Sequence, residues 1–219
     1  MSSKRMLFKK QLHQIQTVAT NVYVLSFKRD FTFRAGQVVA IDLVPDGEPR
    51  LYSIASGEQD LYIQILFDEK KDGKLTPFLS KIKAGDYIYV SEPFGSFKTD
   101  NHLAYWIASG TGIAPFVSMA RSGLGVDKIL VHGGRLDENF YFREELESFF
   151  PDCYFRCCSQ QEDTAYFKGR LTEWLINKND LPLDAHFYLC GSAEMVVQVR
   201  DILISKGISF QQIISETYF

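Results

Sequence analysis

Arg50-Leu51-Tyr52-Ser53 brings a cation, an aromatic ring and a hydroxyl into four consecutive residues. In an extended strand alternate side chains point the same way, so Arg50 and Tyr52 project from one face and Ser53 from the other. Downstream, Gly73-Lys74-Leu75-Thr76 reads as a glycine turn opening a helix. The first N–H groups of a helix lack intrahelical partners, which suits a phosphate, and Thr76 adds a hydroxyl. A second glycine run, Gly110-Thr111-Gly112-Ile113-Ala114-Pro115, follows an apolar strand ending at Ala108. Glycines let the backbone approach a pyrophosphate closely, and Pro115 fits the first turn of a helix, where its missing N–H costs nothing. These residues could hold two phosphate-bearing nucleotides, one with its ring against an aromatic plate. Each run is common by itself. Their order and spacing, with Leu189-Cys190-Gly191 and the terminal Glu216-Thr217-Tyr218-Phe219, single them out.

The elements that must position these groups change character part-way along the chain. From Leu7 to about Phe97 apolar residues come in short alternating runs, such as Val22–Phe27, Val38–Leu43, Leu61–Leu66 and Tyr87–Val90, punctuated by Gly and Asp. Such runs predict a small antiparallel barrel, with one helical interlude from Leu75 to Ile82. After Lys98-Thr99-Asp100-Asn101 strands and helices alternate. Strands are expected at Leu103–Ala108, Lys128–His132, Tyr154–Cys158 and His186–Cys190, and helices near Pro115–Ala120, Arg143–Phe150, Leu171–Ile176 and Glu194–Ser205. That rhythm predicts βαβ units and a mostly parallel sheet. The fold class expected is thus two-domain, β followed by α/β, with domains at 1–99 and 100–219.

Composition narrows the function. In 219 residues, Lys and Arg number 24 against 27 Asp and Glu, so the net charge of −3 provides no broad basic surface for nucleic acid. The four cysteines, Cys153, Cys157, Cys158 and Cys190, match no zinc or iron–sulfur spacing, so no metal is implied. Polar residues interrupt the start before any apolar signal core forms, and no run of about 18 apolar residues occurs. No membrane span and a cytoplasmic location are expected. The histidines, His13, His102, His132 and His186, are scattered, and no Ser, His and Asp set suggests hydrolysis.

Over essentially its whole length the sequence resembles the ferredoxin/flavodoxin-NADP reductases, most closely the short bacterial kind. The resemblance implies FAD on the barrel domain, with Arg50 at the flavin phosphates, Leu51 beside it in the same strand, Tyr52 stacked on the flavin ring and Ser53 near its N5. It implies that Gly73, Lys74, Leu75 and Thr76 take the pyrophosphate and that Gln64, Ile65, Leu66 and Phe67 line the adenosine half, which favours FAD over FMN. In the second domain Gly110, Thr111, Gly112 and Pro115 would take the nicotinamide coenzyme. The glycine run is not the Rossmann fingerprint, since proline replaces its last glycine and no acidic residue closes the next strand.

Arg135 and Arg170 align with arginines that bind a 2′-phosphate, with Ser159 beside them. The third cation expected after Ser159 is here Gln160, so NADP(H) is the expected coenzyme and NAD(H) stays open. Cys190 and Gly191 would border the nicotinamide, Tyr218 would cover the flavin face, Phe219 would stack on the flavin adenine, and Glu216 would assist proton and electron exchange. The implied catalytic set is Ser53, Cys190, Glu216 and Tyr218, and the implied partner a small carrier, ferredoxin or flavodoxin, with the enzyme a monomer. Two alternatives stay open: an NAD(P)H:free-flavin reductase, and a flavin-bearing electron-transfer subunit of a larger complex. Such subunits commonly carry a cysteine-rich cluster segment, and the sequence to Phe219 has none, which favours a diffusing carrier.

Overall fold

The computed structural model describes residues 5–100 and 102–218, the side chain of Tyr218 excepted. Six strands make the first sheet: β1 (Leu7–Ala19), β2 (Val22–Lys28), β3 (Val38–Asp42), β4 (Arg50–Ser53), β5 (Tyr62–Asp68) and β6 (Tyr87–Ser91). They pair antiparallel in the order β4-β3-β6-β1-β2-β5. An antiparallel bridge between Ile54 and Ile65, with the Ala55 N–H donating to Gln64 O at 2.8 Å, joins the two ends into a barrel. β1 is long because it serves two neighbours, pairing with β6 through Leu7–Gln11 and with β2 from Leu12 on. Register shifts near Leu12 and Thr17 bend it round the corner. The alternation then does what its period requires: Leu25, Phe27, Val39, Ile41, Ile63, Ile65, Ile88 and Val90 fill the barrel core.

The helix expected over Leu75–Ile82 is a single turn, α1 (Thr76–Leu79). Leu75 and Leu79, four residues apart, are buried in the core, Ile82 packs against it from beyond the helix, and Phe78 stays exposed. One turn satisfies that spacing, and the chain then enters a turn in which the Asp86 N–H donates to Lys83 O.

The second sheet is wholly parallel and also has six strands: β7 (Ala104–Ser109), β8 (Lys128–Gly134), β9 (Tyr154–Cys158), β10 (Phe167–Lys168), β11 (His186–Ser192) and β12 (Ile213–Tyr218). Their order is β10-β9-β8-β7-β11-β12, so the direction of succession reverses at β7. Connecting helices are α2 (Ala114–Arg121), α3 (Arg143–Phe149), α4 (Leu171–Asn177) and α5 (Ala193–Ser205). Ile107, Val131, Cys157, Phe187 and Leu189 meet Leu171, Leu175, Val196, Val199 and Leu203 in a second core. Two strands of this sheet, β10 and β12, lie outside the four expected.

The chain forms two compact units. One takes in the residues up to Lys98 together with Ala114–Ser122, the other Thr99–Ile113 together with the residues from Gly123 on. Helix α2 therefore packs with the barrel, although sequence order sets it between two strands of the parallel sheet. Every residue from Ala114 to Ala120 is buried. The Ser118 hydroxyl donates to Ser56 O at 2.6 Å, Arg121 donates to Ala55 O at 3.0 Å and to Gln64 Oε1 at 2.6 Å, and Ser122 Oγ accepts from the Glu58 N–H at 3.0 Å. A helix apolar all round and fixed by its few polar groups is a core element, not a surface one.

Candidate functional site

In the barrel unit, β4 lies at the end of the hydrogen-bonded order, with Ser53 opposite Val38, Tyr52 opposite Val39 and Arg50 opposite Ile41. Arg50 is exposed and Tyr52 half-buried, its ring edge-on to Phe67 at 6.3 Å. Burial pushes the Tyr52 phenol far above its ordinary value, opposed by Arg50 and reinforced by Asp68 and Asp42, so the ring serves as a neutral plate. Leu51 faces solvent, while Ser53 is buried. Lys74 pairs with Glu48 at 3.0 Å. Lys74, by hydrogen bond and charge, and then Arg50 lower the Glu48 carboxyl, so Arg50 and the glycine turn at 73–76 share one electrostatic neighbourhood. The turn is preformed: the Gly73 N–H donates to Lys70 O at 2.7 Å and Thr76 Oγ1 accepts from the Lys70 N–H at 2.9 Å. Ile65 and Phe67, by contrast, point into the barrel core and Leu66 is buried, and all three pair with β2. Gln64 is half-buried, its side chain held by Arg121.

In the parallel-sheet unit, the residues expected to bind a second nucleotide gather at the carboxyl ends of the strands. Gly110 follows β7 and opens a short 3₁₀ turn to Ile113; Arg135 follows β8, Ser159 follows β9 and Arg170 lies just beyond β10. Strand-end loops are tied to each other, with the Ser159 N–H donating to Gly134 O at 3.0 Å and the Gln160 N–H to Arg135 O at 2.9 Å. Arg135 is exposed, and Arg170 is exposed beside Glu194 at 3.7 Å, a separation at which an exposed pair contributes little. In a parallel sheet ligands collect outside the carboxyl ends where strand order reverses, here between β7 and its neighbours.

Two glycines are required by this packing. A Cβ at Gly112 would overlap the Cys190 carbonyl oxygen and the Gly191 Cα. One at Gly191, whose φ is +150, would overlap the Ser109 hydroxyl. The loop after β7 and the end of β11 thus lie backbone against backbone, which forms a cradle lined by main-chain atoms. Cys190 is buried beneath it, and in the parallel register Glu216 of β12 stands opposite Cys190, Thr217 opposite Gly191 and Tyr218 opposite Ser192. The expected roles of the Tyr218 side chain and of Phe219 lie outside the described residues.

Histidine placement departs from the sequence reading. His132 on β8 is buried, and burial lowers its pKa to about 4. A neutral imidazole has one N–H, so the arrangement that satisfies both contacts has Nε2–H donating to Gly110 O at 3.3 Å and Nδ1 accepting from the Tyr154 hydroxyl at 3.1 Å. His132 is therefore a prop beneath the first glycine of the loop. Nor are the remaining histidines all apart, because the His102 and His186 rings lie 5.0 Å from each other. No sequence spacing signals either arrangement, since both arise from neighbouring strands.

Comparison with known proteins accounts for both units. Residues 9–99 match the oxidoreductase FAD-binding domain model and residues 106–201 the oxidoreductase NAD-binding domain model. A flavodoxin/ferredoxin-NADP reductase of Rhodobacter capsulatus is 31% identical over 209 residues, covering 80% of this chain and 77% of that protein. The chain belongs to the ferredoxin reductase-like family. Another relative is the toluate 1,2-dioxygenase electron transfer component of Pseudomonas putida, 28% identical over 203 residues; the match covers 88% of this chain and 60% of that protein's length. Among solved structures, a ferredoxin NADP+ reductase from Neisseria gonorrhoeae with bound FAD and NADP superposes with a TM-score of 0.89 at 20% identity, covering 99% of this chain and 100% of that one. That likeness shows the fold. The protein is an FAD- and NAD(P)-binding oxidoreductase that transfers electrons. The preformed turn at 73–76 and Gly110, where an added Cβ would meet nothing, fit such cofactors, offering main-chain surface where phosphates need close approach. Among the described residues, no helix is long and apolar enough to cross a membrane.

Proposed function

We propose that the protein is a ferredoxin/flavodoxin-NADP reductase, exchanging hydride with NADP(H) and single electrons with ferredoxin or flavodoxin. The observation that carries this reading is the exposed pair Arg135 and Arg170 at the carboxyl edge of the same sheet that holds the Gly110–Gly112 loop. A coenzyme with a 2′-phosphate needs cations at the adenosine end, and two guanidiniums can each form charge-assisted hydrogen bonds with it. Bound FAD supplies the conversion between two-electron and one-electron chemistry. Arg50 and Lys74 would hold its phosphates together with the N–H groups of residues 74–76, Tyr52 would lie against its ring, and Ser53 would hydrogen-bond near its reactive nitrogen. Cys190 and Glu216, adjacent across β11 and β12, would border the nicotinamide, Glu216 serving proton exchange. Working in the cytoplasm as a monomer suits a diffusing carrier.

The test is steady-state electron delivery by the purified protein. With NADPH as donor, reduction of ferredoxin or flavodoxin should saturate at micromolar carrier, far below the concentration at which added free FAD or FMN is turned over. Turnover of free flavin alone would favour a free-flavin reductase. Turnover of neither, with an artificial dye still reduced, would favour a subunit that passes electrons within a larger complex, as the name of the Pseudomonas relative suggests for that protein.

A further inference from the structure

At the amino end of the parallel sheet, opposite the strand ends that carry the glycine loops, three side chains converge that no part of the proposed reaction uses. Asp100 and His102 immediately precede β7, and His186 is the first residue of β11, paired with Ala104 across the sheet. One carboxylate oxygen, Asp100 Oδ2, lies 3.1 Å from His102 Nδ1 and 3.0 Å from His186 Nδ1. One ligand atom from each residue falls within 4.8 Å of those of the other two. We propose that Asp100, His102 and His186 form a binding site for a first-row divalent cation, with zinc the best match. This proposal is independent of the reductase reading.

Two observations point to a ligand rather than to a surface ion pair. Bonds of about 2.0–2.1 Å to a tetrahedral zinc set its ligand atoms about 3.3 Å apart, close to both separations here. His186 Nδ1, moreover, is buried and has no hydrogen-bond partner, although Asp100 Oδ2 is only 3.0 Å away. The carboxylate is near the ring nitrogen but out of line for its N–H. A metal on the nitrogen's lone-pair axis, bonded sideways to the carboxylate, satisfies both atoms. Two imidazoles and one carboxylate suit zinc, nickel or copper rather than magnesium or calcium, which take oxygen shells. Three protein ligands leave the remaining position to water.

The surroundings hold the ligands in place. The second carboxylate oxygen, Asp100 Oδ1, accepts the His102 N–H at 3.1 Å, which leaves Oδ2 for the imidazoles. Lys128 donates to His102 O at 2.8 Å and to Val126 O at 3.0 Å, directing its ammonium protons to carbonyl oxygens. The His186 N–H donates to Leu103 O at 3.0 Å, and Tyr188 hydrogen-bonds to Thr99 and to the Asp100 backbone. Such outer contacts orient ligands and support affinity. A bound ion would tie Asp100 and His102 to the first residue of β11.

The experiment is calorimetric titration of the untagged, chelator-treated holoprotein with zinc chloride, and with magnesium chloride as control. One zinc per chain is expected, with no magnesium binding. His102→Ala and His186→Ala should each weaken zinc by about tenfold or more. Asp100→Asn, which keeps the side-chain shape, serves as a further variant should a histidine variant misfold. Absence of stoichiometric zinc binding overturns the proposal, and so does zinc binding that is unchanged in the folded variants.

Discussion

In the proposed reading, Arg135 and Arg170 meet only the part of the coenzyme that distinguishes NADPH from NADH. A charge-assisted hydrogen bond is worth roughly 1.5–3 kcal/mol, and exposure of both guanidiniums favours the lower end, or about tenfold in affinity. Arg135→Ala and Arg170→Ala are therefore each expected to raise KM for NADPH about tenfold while leaving KM for NADH nearly unchanged. Parallel rises for both coenzymes would remove them from the specificity site. At this scale the sequence speaks through residue types that name a chemistry, as with the proposed roles of Arg50, Tyr52 and the glycines at 110 and 112. It is silent where the role depends on a neighbour supplied by another strand. Nothing around His132 in sequence indicates that its imidazole props Gly110, and nothing in the separation of His102 from His186 indicates that their rings lie 5.0 Å apart.

The strand β8 makes a prediction of its own through His132. Burial lowers its pKa from the ordinary 6.5 to about 4. The unfolded chain takes up a proton there near pH 6.5, whereas the folded chain does so only near pH 4, so stability is lost as pH falls through that window. Between pH 7 and pH 5 the loss from this group is about 2 kcal/mol. Chemical denaturation across that range should show it in the parent chain. His132→Gln, which can still donate to Gly110 O, should be less stable at pH 7 and should lack that component of the slope; equal slopes would contradict the assignment. Most elements were legible as short runs rich in strand or helix formers, Tyr154–Cys158 among them. β12 is less legible although Ile213-Ile214-Ser215-Glu216-Thr217-Tyr218 is rich in strand formers, because its pairing with β11 spans residues far apart in sequence. The helix α1 is shorter than its apolar spacing suggests, because the chain turns at Lys83–Asp86 while Ile82, outside the helix, still packs against the core.

On the scale of the whole molecule, a closed antiparallel barrel and a parallel sheet each carry the surface for one nucleotide, and the change of periodicity near residue 98 foretold both. The assignment of α2 to the barrel unit was not foretold, since a helix following a glycine loop ordinarily covers its own sheet and only the contacts of Ser118, Arg121 and Ser122 show otherwise. The central claim is that one chain joins a tightly held FAD to a site for NADP(H). Its most direct test is anaerobic titration of the purified protein, followed by its visible spectrum, with the flavin identified after extraction. One FAD per chain is expected, with bleaching of the flavin band by stoichiometric NADPH, faster than by NADH. A protein that carries no flavin through gel filtration, that yields FMN, or whose bound FAD NADPH leaves oxidised would contradict it.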